Sequence, residues 1–485
     1  MRTIQQTVSR LLAVFCLAAC AMGAAAQTTT IIQGDESVTV ENMPTNTTNM
    51  PEGSPAYITV IVPGIGTADM PFLIGSVDEW NAFAWLVNNR TSYKQSHVKI
   101  TADITFINNH AQPQRFAGNI DGQGHTITFH QSDVVECINY PYADPNGSWG
   151  GLVFHIGNNL SIRNLRLAGT IWNNRYDCGT FIQNADGLNT ILYNCQSSVV
   201  IIKTIKGGSF TGGMIGGSDG SNHSIIIKNC LVDGRFTSGY TGEEEASHPL
   251  NGGFMGRINN SKLNISNSYV HPQEVDNRFN TFYPFSNVYT GTPSITTPNS
   301  YYKFPEDFTG LITALENQGT DKEAPATAAE TVEALNTGAE EDSEAWIAHN
   351  DTVYLKTFAK YVDIVGWTWG SPNQPTVYGN NGDAPVTYLY KEKGADDDTY
   401  TTEQPTASGD YTVLAVVAEV KDETGRVIWN GWTSTMDFTI EPLADIHAVK
   451  ADADTQVWYD LNGRRVNQPD RKGVFITNGN KVVIK

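Results

Sequence analysis

The feature that most constrains the fold is a pattern that occurs four times between residues 150 and 272. Each copy begins with a Gly-Gly or Gly-Thr pair and two apolar residues, passes through a polar stretch, and ends in an apolar-x-apolar-x-Asn run. The closing residues are Asn164, Asn194, Asn229 and Asn267, separated by 30 (164 to 194), 35 (194 to 229) and 38 (229 to 267) residues. Repeats of this length are typical of solenoids, in which each copy buries its inner face against the next.

Alignment on that Asn places residues of like character in columns before and after it. Alternation on both sides predicts two short strands that meet at a corner, because the side chains of a strand point to opposite faces in turn. Asn tolerates the left-handed backbone of a sharp corner, and its amide can bond to the Asn of the next copy. The pattern predicts an all-β, right-handed parallel β-helix; a β-sandwich with coincidental Gly spacing is the alternative. The columns are Leu160/Ile162, Thr190/Leu192, Ile225/Ile227 and Leu263/Ile265 before the Asn, and Leu165/Leu167, Cys195/Ser197, Cys230/Val232 and Ser268/Val270 after it.

The first 26 residues are typical of a secretory signal peptide. Arg2 and Arg10 precede an apolar run, and Ala24-Ala25-Ala26 predicts cleavage before Gln27. The segment is too short to span a membrane. We therefore predict an exported protein; the alternative is an outer-membrane lipoprotein anchored at Cys20, because Leu17-Ala18-Ala19-Cys20 is similar to a lipobox.

The charge of the chain argues against anionic partners. The formal net charge is -20, and removal of residues 1–26 takes two Arg and no acid, which gives -22. Such a field repels nucleic acid and anionic lipid, so we predict no nucleic-acid partner.

Four cysteines follow the leader: Cys137, Cys178, Cys195 and Cys230. Cys195 and Cys230 share a column, which favours two small buried residues stacked on neighbouring copies, with a disulfide as the alternative. The spacing contains no Cys-x-x-Cys pair. We predict no metal site and no cofactor.

A helix is predicted just before the repeats. Residues 27–72 are a leader with weak strand signals that we expect to pair with the first coils, and Ser76 to Glu79 then form a capping box. Trp80, Phe83, Ala84 and Val87 follow at the spacing of an amphipathic helix that ends at residues 88–89. A solenoid exposes apolar ends, so we expect this α-helix to cover the first coil of the β-helix. We assign residues 73–317 to the β-helix, including this α-helix.

Several motifs in order resemble those of the GLUG-repeat β-helices of bacterial surface proteins, many of them from Bacteroidetes. The motifs are Lys-Ile-Thr-Ala-Asp-Ile from Lys99, Ile-Asp-Gly-Gln-Gly-His-Thr-Ile from Ile120, Gly-Gly-Phe-Met-Gly from Gly252, and Ile-x-Asn-Ser-Tyr-Val from Ile265. The resemblance covers about residues 73–360 and implies the fold rather than an activity. The third copy departs from the pattern at Gly216-Gly217-Ser218-Asp219-Gly220, where we expect a bulge.

The C-terminal part predicts two further modules. Residues 318–360 read as an acidic linker or solvated helix, and residues 361–442 resemble a bacterial Ig-like sandwich acting as a spacer. The Trp pairs 367/369 and 429/432 predict core packing, with a sugar platform as the alternative. Residues 443–485 contain two hairpins that turn at Asn462-Gly463 and Asn478-Gly479 and resemble the sorting domain of type IX secretion, which implies that secretion machinery as a partner.

No catalytic constellation is evident in the sequence. Asp177, Asp219, Asp233 and Arg235, with Arg163, Arg166 and Arg175 nearby, are the candidates for a polysaccharide lyase or hydrolase. None repeats in one column of consecutive copies, which favours solvated loop charges. We therefore predict no catalytic residues and an interaction protein or adhesin that binds an extracellular glycan or protein. The loops Val134 to Gly147 and Arg235 to Leu250 are its candidate contact surfaces; a β-helix enzyme and a structural surface component are the alternatives.

Overall fold

The computed structural model describes residues 28–33, 36–41, 57–107, 110–131, 151–155, 158–173, 177–204, 210–239, 250–279, 281–313, 322–339, 344–442, 457–467, 469, 472–477 and 480–484. The predicted signal peptide with Cys20, the loop from Val134 to Gly147 with Cys137, Arg175, the Asn478-Gly479 turn and residues 240–249 of the second loop lie outside them. The chain divides into two compact units. Unit 1 comprises Met1–Lys360, Gly379–Ala384 and Ala418–Gly431, and unit 2 comprises Tyr361–Tyr378, Pro385–Val417 and Trp432–Lys485.

Unit 1 is built on three long parallel sheets that the chain visits in turn. Each repeat contributes a strand to sheet A, a strand to sheet B after the Asn corner, and, from residue 177 onward, a strand to sheet C. This order is compatible with a β-helix. The strands of sheet A are Phe72–Ile74, His97–Ile100, Asn119–Asp121, Val153–His155, Asn159–Arg163, Ile182–Asn184, Asn189–Tyr193, Ile215–Lys228, Met255–Ser266, Ser286–Val288 and Ser294–Thr296. Those of sheet B are Ile104–Ile107, Thr126–His130, Arg166–Asn173, Gln196–Lys203, Leu231–Val232, Arg235–Ser238, Tyr269–Val270, Glu274–Val275, Tyr301–Tyr302 and Lys322–Glu323, and those of sheet C are Asp177–Gly179, Phe210–Gly212, Leu250–Gly252, Thr281–Tyr283 and Leu311–Ile312.

The register of the sheets matches the columns read from the sequence. In sheet A, Leu160 pairs with Thr190, Thr190 with Ile225, and Ile225 with Leu263. In sheet B, Leu167 pairs with Ser197, which pairs with Val232. The apolar members of these columns form the core of unit 1. Burial therefore comes from stacking one repeat on the next.

The four Asn residues occupy the corner between sheets A and B in every copy. Asn164, Asn194, Asn229 and Asn267 have φ values of 52°, 53°, 52° and 49°, the left-handed region that the corner was predicted to need. A fifth corner at Asn299 has φ 52° and is followed by Ser-Tyr, as Asn267 is. This fifth copy was not predicted, because Pro298 precedes its Asn and no Gly pair opens it.

The third copy contains the irregularity expected from its glycines. Ile215–Lys228 is one long strand, and its pairing with Met255–Ser266 shifts between Ser218 and Ser221 and again between Ser221 and Ser224. The extra residues bend the strand locally, as bulges do.

A helix, α1, spans Val77–Asn89. The Ser76 side chain accepts the N–H of Glu79, as in a capping box, but the Glu79 carboxylate accepts the N–H of Gly75 (2.6 Å). The buried face packs on the first strands, where the Trp80 and Phe106 rings lie 6.1 Å apart. The indole N–H of Trp80 also donates to the carbonyl of Ala111.

Residues 328–339 and 344–360 lie in unit 1 and contact the Asn corners. A second helix, α2, spans Ala328–Leu335, and the hairpin Trp346–His349/Thr352–Leu355 follows it. Trp346 is 1% exposed, and its indole N–H donates to the carbonyl of Asn267 (3.0 Å). The amide of Asn267 donates to the Leu335 carbonyl (2.6 Å). This stretch therefore has a buried side of its own.

The leader forms a small sheet, and its residues Pro63 and Gly66 accept N–H groups from Leu73 and His97 in the first strands of sheet A. Thr28–Gln33 pairs antiparallel with Glu36–Glu41 and parallel with Tyr57–Ile61. Ile31 and Val60 join the main core.

The described residues of unit 2 form three sheets, two of which contribute to a small core. The core includes Val362, Trp367, Val413, Phe438 and Ile440. A four-stranded sheet has the order Trp367–Thr368, Trp432–Glu441, Gly409–Val417, Val386–Glu392, and Tyr361–Asp363 pairs with Thr376–Tyr378. The C-terminal sheet has the order Arg465–Val466, Trp458–Tyr459, Gly473–Thr477, Asn480–Ile484. No helix among the described residues is long and apolar enough to span a membrane.

Candidate functional site

Two of the candidate acids, Asp177 and Asp219, share one guanidinium, that of Arg257. Arg257 donates through Nε and Nη2 to the two Asp177 oxygens (3.1 and 2.7 Å) and through Nη2 to Asp219 Oδ2 (2.5 Å), and its Nη1 also pairs with Asp219. Arg257 and Asp177 are buried, whereas the Asp219 side chain is 49% exposed. This Arg257 cluster links sheets A and C and occupies both oxygens of Asp177.

Arg257 was not predicted from the sequence, although the glycine that pairs with it in the preceding copy could have indicated it. Arg257 pairs in register with Gly217 of the preceding copy. A Cβ at Gly217 would lie 2.9 Å from Arg257 Cγ and 3.1 Å from Asp177 Oδ2. Gly217 therefore leaves the space through which the guanidinium reaches Asp177. The Phe210 ring lies 4.9 Å from the guanidinium carbon and completes the enclosure.

The third candidate acid, Asp233, is held by two neutral donors. Ser198 Oγ donates to Oδ1 (2.7 Å) and Gln196 Nε2 to Oδ2 (2.8 Å), while Arg166 donates to Ser198 Oγ rather than to the carboxylate. Burial raises the pKa of Asp233 above its usual range. Arg235 is exposed and lies 3.8 Å from Glu274. Asp233 thus sits in a hydrogen-bond network separate from the Arg257 cluster.

Arg163 forms an ion pair next to the first corner. Its Nε donates to Asp121 Oδ2 (3.0 Å), and Asn164 donates to Asp121 Oδ1 (3.1 Å). Burial alone would raise the pKa of Asp121, but the hydrogen bonds from Asn164 and Gln123 outweigh it and hold the pKa below its usual value.

An Asp-His-Trp stack lies within unit 1 and was not predicted. The Asp103 carboxylate accepts the N–H groups of Thr126 and Asn430 (2.8 Å each), and His125 Nδ1 lies 3.3 Å from it. The His125 ring stacks on Trp429 with centroids 3.7 Å apart. Burial would raise the pKa of Asp103, but these hydrogen bonds hold the pKa below its usual value. The stack fixes the orientation of the Trp429 indole.

The Trp429 indole forms part of the wall of a cleft of about 510 Å³, here called the Trp429 cleft. Its lining offers amides, one hydroxyl and one aromatic ring, and carries no ionisable side chain. Among the residues that the structure describes, no group of three or more His, Cys, Asp or Glu is placed to hold a metal ion. The lining residues are Gln123, Gly124, Asn164, Thr357, Asn381, Gly382 and Trp429.

The tryptophans of the two sequence pairs have different environments. Trp367 is 6% exposed and stacks on Phe438 in the core of unit 2, as core packing predicts. Trp369 is 49% exposed. Trp429 is half-buried in unit 1 and lines the cleft, the environment that the alternative required.

Comparison with known proteins gives one structural similarity. No protein-family model matches the sequence, and no curated protein matches it. The crystal structure of a "putative immunoglobulin A1 protease from Bacteroides ovatus" is similar with 15% identity and a TM-score of 0.37, over 61% of this chain and 94% of that chain. A TM-score below 0.5 does not establish a shared fold, so no activity is transferred from that protein.

Proposed function

We propose that this protein is an exported, surface-displayed interaction protein or adhesin without catalytic activity, which binds an extracellular glycan or protein. In this proposal the parallel sheets form a right-handed β-helix of the GLUG-repeat type, and α1 closes its first coil. Residues 361–442 are an Ig-like spacer, and residues 443–485 are a tail recognised by the type IX secretion machinery. The signal-peptide pattern of residues 1–26 and the motifs from Lys99 to Val270 support this assignment.

The proposal that the protein is not catalytic rests on the hydrogen bonds and ion pairs that the candidate acids already form. General acid–base catalysis on a polysaccharide needs carboxyl groups that reach the scissile bond. Both oxygens of Asp177 accept hydrogen bonds from Arg257, and Asp219 binds the same guanidinium. Asp233 accepts hydrogen bonds from Ser198 and Gln196. An uncharged cleft, in contrast, suits recognition.

Residues 27–485 provide the test. The purified protein is incubated with neutral and acidic polysaccharides, and bound protein, new reducing ends and unsaturated products are measured. We expect retention on at least one immobilised polysaccharide or glycoprotein, with no products. Products that vanish in Asp177→Asn or Asp233→Asn would establish the β-helix enzyme instead. Growth into large assemblies without retention would establish the structural surface component.

A further inference from the structure

We infer that the Trp429 cleft is a binding site for a neutral saccharide. This inference rests on the proposed interaction function and assigns one ligand class to one place in unit 1. The site combines an aromatic face with uncharged groups that both donate and accept hydrogen bonds. A pyranose has the complementary chemistry, because its C–H face is apolar and its hydroxyl rim donates and accepts.

The aromatic wall is fixed before any ligand arrives. One face of Trp429 lies on His125 at 3.7 Å, and His125 is oriented by Asp103, which is itself held by the N–H of Asn430 next to Trp429. An indole held in one orientation loses little entropy on binding. Trp429 also lines the cleft, so part of the indole surface not covered by His125 faces it.

Two glycines lie beside the indole and add no side chain to the cleft. A Cβ at Gly382 would lie 2.9 Å from Trp429 Cδ1, which real Cβ contacts do not allow. At Gly124 it would lie between the cleft walls, 3.8 Å from Thr357 Cγ2 and 4.0 Å from Trp429 Cη2. Both glycines have positive φ, 82° at Gly124 and 81° at Gly382, so other residues are disfavoured there. The backbone at Gly382 therefore approaches the edge of the indole closely, and the positive φ at both positions keeps side chains out of this part of the cleft.

The polar walls retain hydrogen-bonding capacity that matches hydroxyl groups. Within the described part of the chain, Asn164 donates one N–H to Asp121 and accepts one bond from Asn194 (2.8 Å). An Asn amide has two N–H groups and two carbonyl lone pairs, so one of each is left. Thr357 Oγ1 accepts from Asn194 Nδ2 (2.6 Å), which leaves its own hydrogen to donate. Vicinal hydroxyls of a sugar can satisfy such a set of paired donors and acceptors.

The electrostatics disfavour the other ligand classes. No Lys or Arg lines the cleft, Arg163 close by is paired with Asp121, and the chain carries a net charge of -20, so phosphates and acidic sugars are repelled. A cationic ligand is favoured by several aromatic rings around it, and the lining contains one. A purely apolar ligand would leave the amides unpaired.

Saturation-transfer NMR on residues 27–485 tests the inference. The probes are hexoses, N-acetylhexosamines and their disaccharides, with glucuronic acid and a sulfated hexose as anionic counterparts. We expect transfer to at least one neutral sugar and none to the anionic pair. Trp429→Ala removes the aromatic face, and Asn381→Ala removes one amide from a half-buried turn position. We expect each substitution to raise the dissociation constant of that sugar at least about tenfold. Trp369→Ala, which replaces an exposed Trp of unit 2, should leave the dissociation constant unchanged.

The outcomes separate this inference from the proposed function. An unchanged affinity in a folded Asn381→Ala and a folded Trp429→Ala would overturn the cleft assignment, as would preference for the anionic sugars or no transfer to any sugar. In all three cases retention on a surface without products would leave the interaction function standing. Thermal unfolding midpoints show whether a variant is folded. If Trp429→Ala does not fold, the affinity of Asn381→Ala alone tests the cleft assignment.

Discussion

Asn194 donates its side-chain amide both to Oδ1 of Asn164 on the preceding repeat (2.8 Å) and to the hydroxyl of Thr357, 163 residues further along the chain (2.6 Å). The same residue has φ 53° and makes the corner between two sheets. A single Asn thus joins backbone geometry, repeat stacking and the attachment of a later segment. Besides forming turns, the Asn corners hydrogen-bond to Leu335, Trp346 and Thr357.

Replacement of Asn194 separates these contributions. Asn194→Ala leaves a side chain without polar atoms in the left-handed region and removes both hydrogen bonds of the Asn194 side chain. We expect it to lower the free energy of unfolding by about 2–4 kcal/mol. Asn194→Gly relieves the backbone strain and loses only the side-chain bonds, so about half of the loss is expected. Urea unfolding followed by circular dichroism measures both.

Asn189→Ala is the matched control for this series. Its amide also bonds across repeats, to Asn159 Oδ1 (2.7 Å), but the residue is exposed and its φ is not positive. We expect a loss below about 1 kcal/mol. Equal losses in Asn189→Ala and Asn194→Ala would contradict the special role of the corner.

Arg257 is expected to matter more than the exposed ion pairs of the same unit. Arg257→Ala leaves the buried Asp177 carboxylate without its partner, and such a loss costs about 3–5 kcal/mol. Arg278→Ala also removes an Arg–Asp pair, with Asp276, but the Arg278 side chain is 54% exposed and the expected cost is below about 1 kcal/mol. Chemical unfolding at pH 7 compares the two.

A second substitution tests the geometry of the Arg257 cluster. Asp219 is half exposed, so Asp219→Asn should change stability far less than Asp177→Asn, which alters the buried oxygens bound by Nε and Nη2. The opposite ranking would mean that Asp219 is the principal partner of Arg257.

The sequence was informative about the corners and the stacked columns, which repeat along the chain, and uninformative about contacts between residues outside that repeat. The corners at Asn164 to Asn267 were predictable because φ preference and alternation are local properties. The pairing of Asp177 with Arg257 was not, because 80 residues separate them and they lie on strands of different sheets. The Trp429 cleft required the placement of residues 357, 381 and 429 around Asn164, which no periodicity encodes.

Stability at acidic pH should depend on His110. Burial lowers the pKa of His110 to about 4, from an ordinary value near 6.5 in the unfolded chain. The folded state therefore resists protonation, so stability is fully present above pH 6.5 and is lost as the pH falls toward 4. The shift corresponds to about 3 kcal/mol. Unfolding curves at several pH values should show His110→Gln losing less stability over this window than the wild type, whereas His130→Gln, at an exposed position, should follow the wild type.

The buried cysteines should be unreactive thiols in the native protein. Cys178, Cys195 and Cys230 are free and buried, and burial raises the pKa of Cys178 to about 12 and that of Cys230 well above its usual value. Because the thiolate is the reactive species, a thiol reagent at pH 8 should label none of the three until the chain unfolds. Cys137→Ser removes the remaining cysteine of residues 27–485 from the count. In that variant we expect no rapid labelling of the native protein and three labelled thiols in guanidinium chloride. A count of one labelled thiol would mean that two of the three cysteines form a disulfide. Cys195 and Cys230, which are neighbours on adjacent repeats, would be that pair.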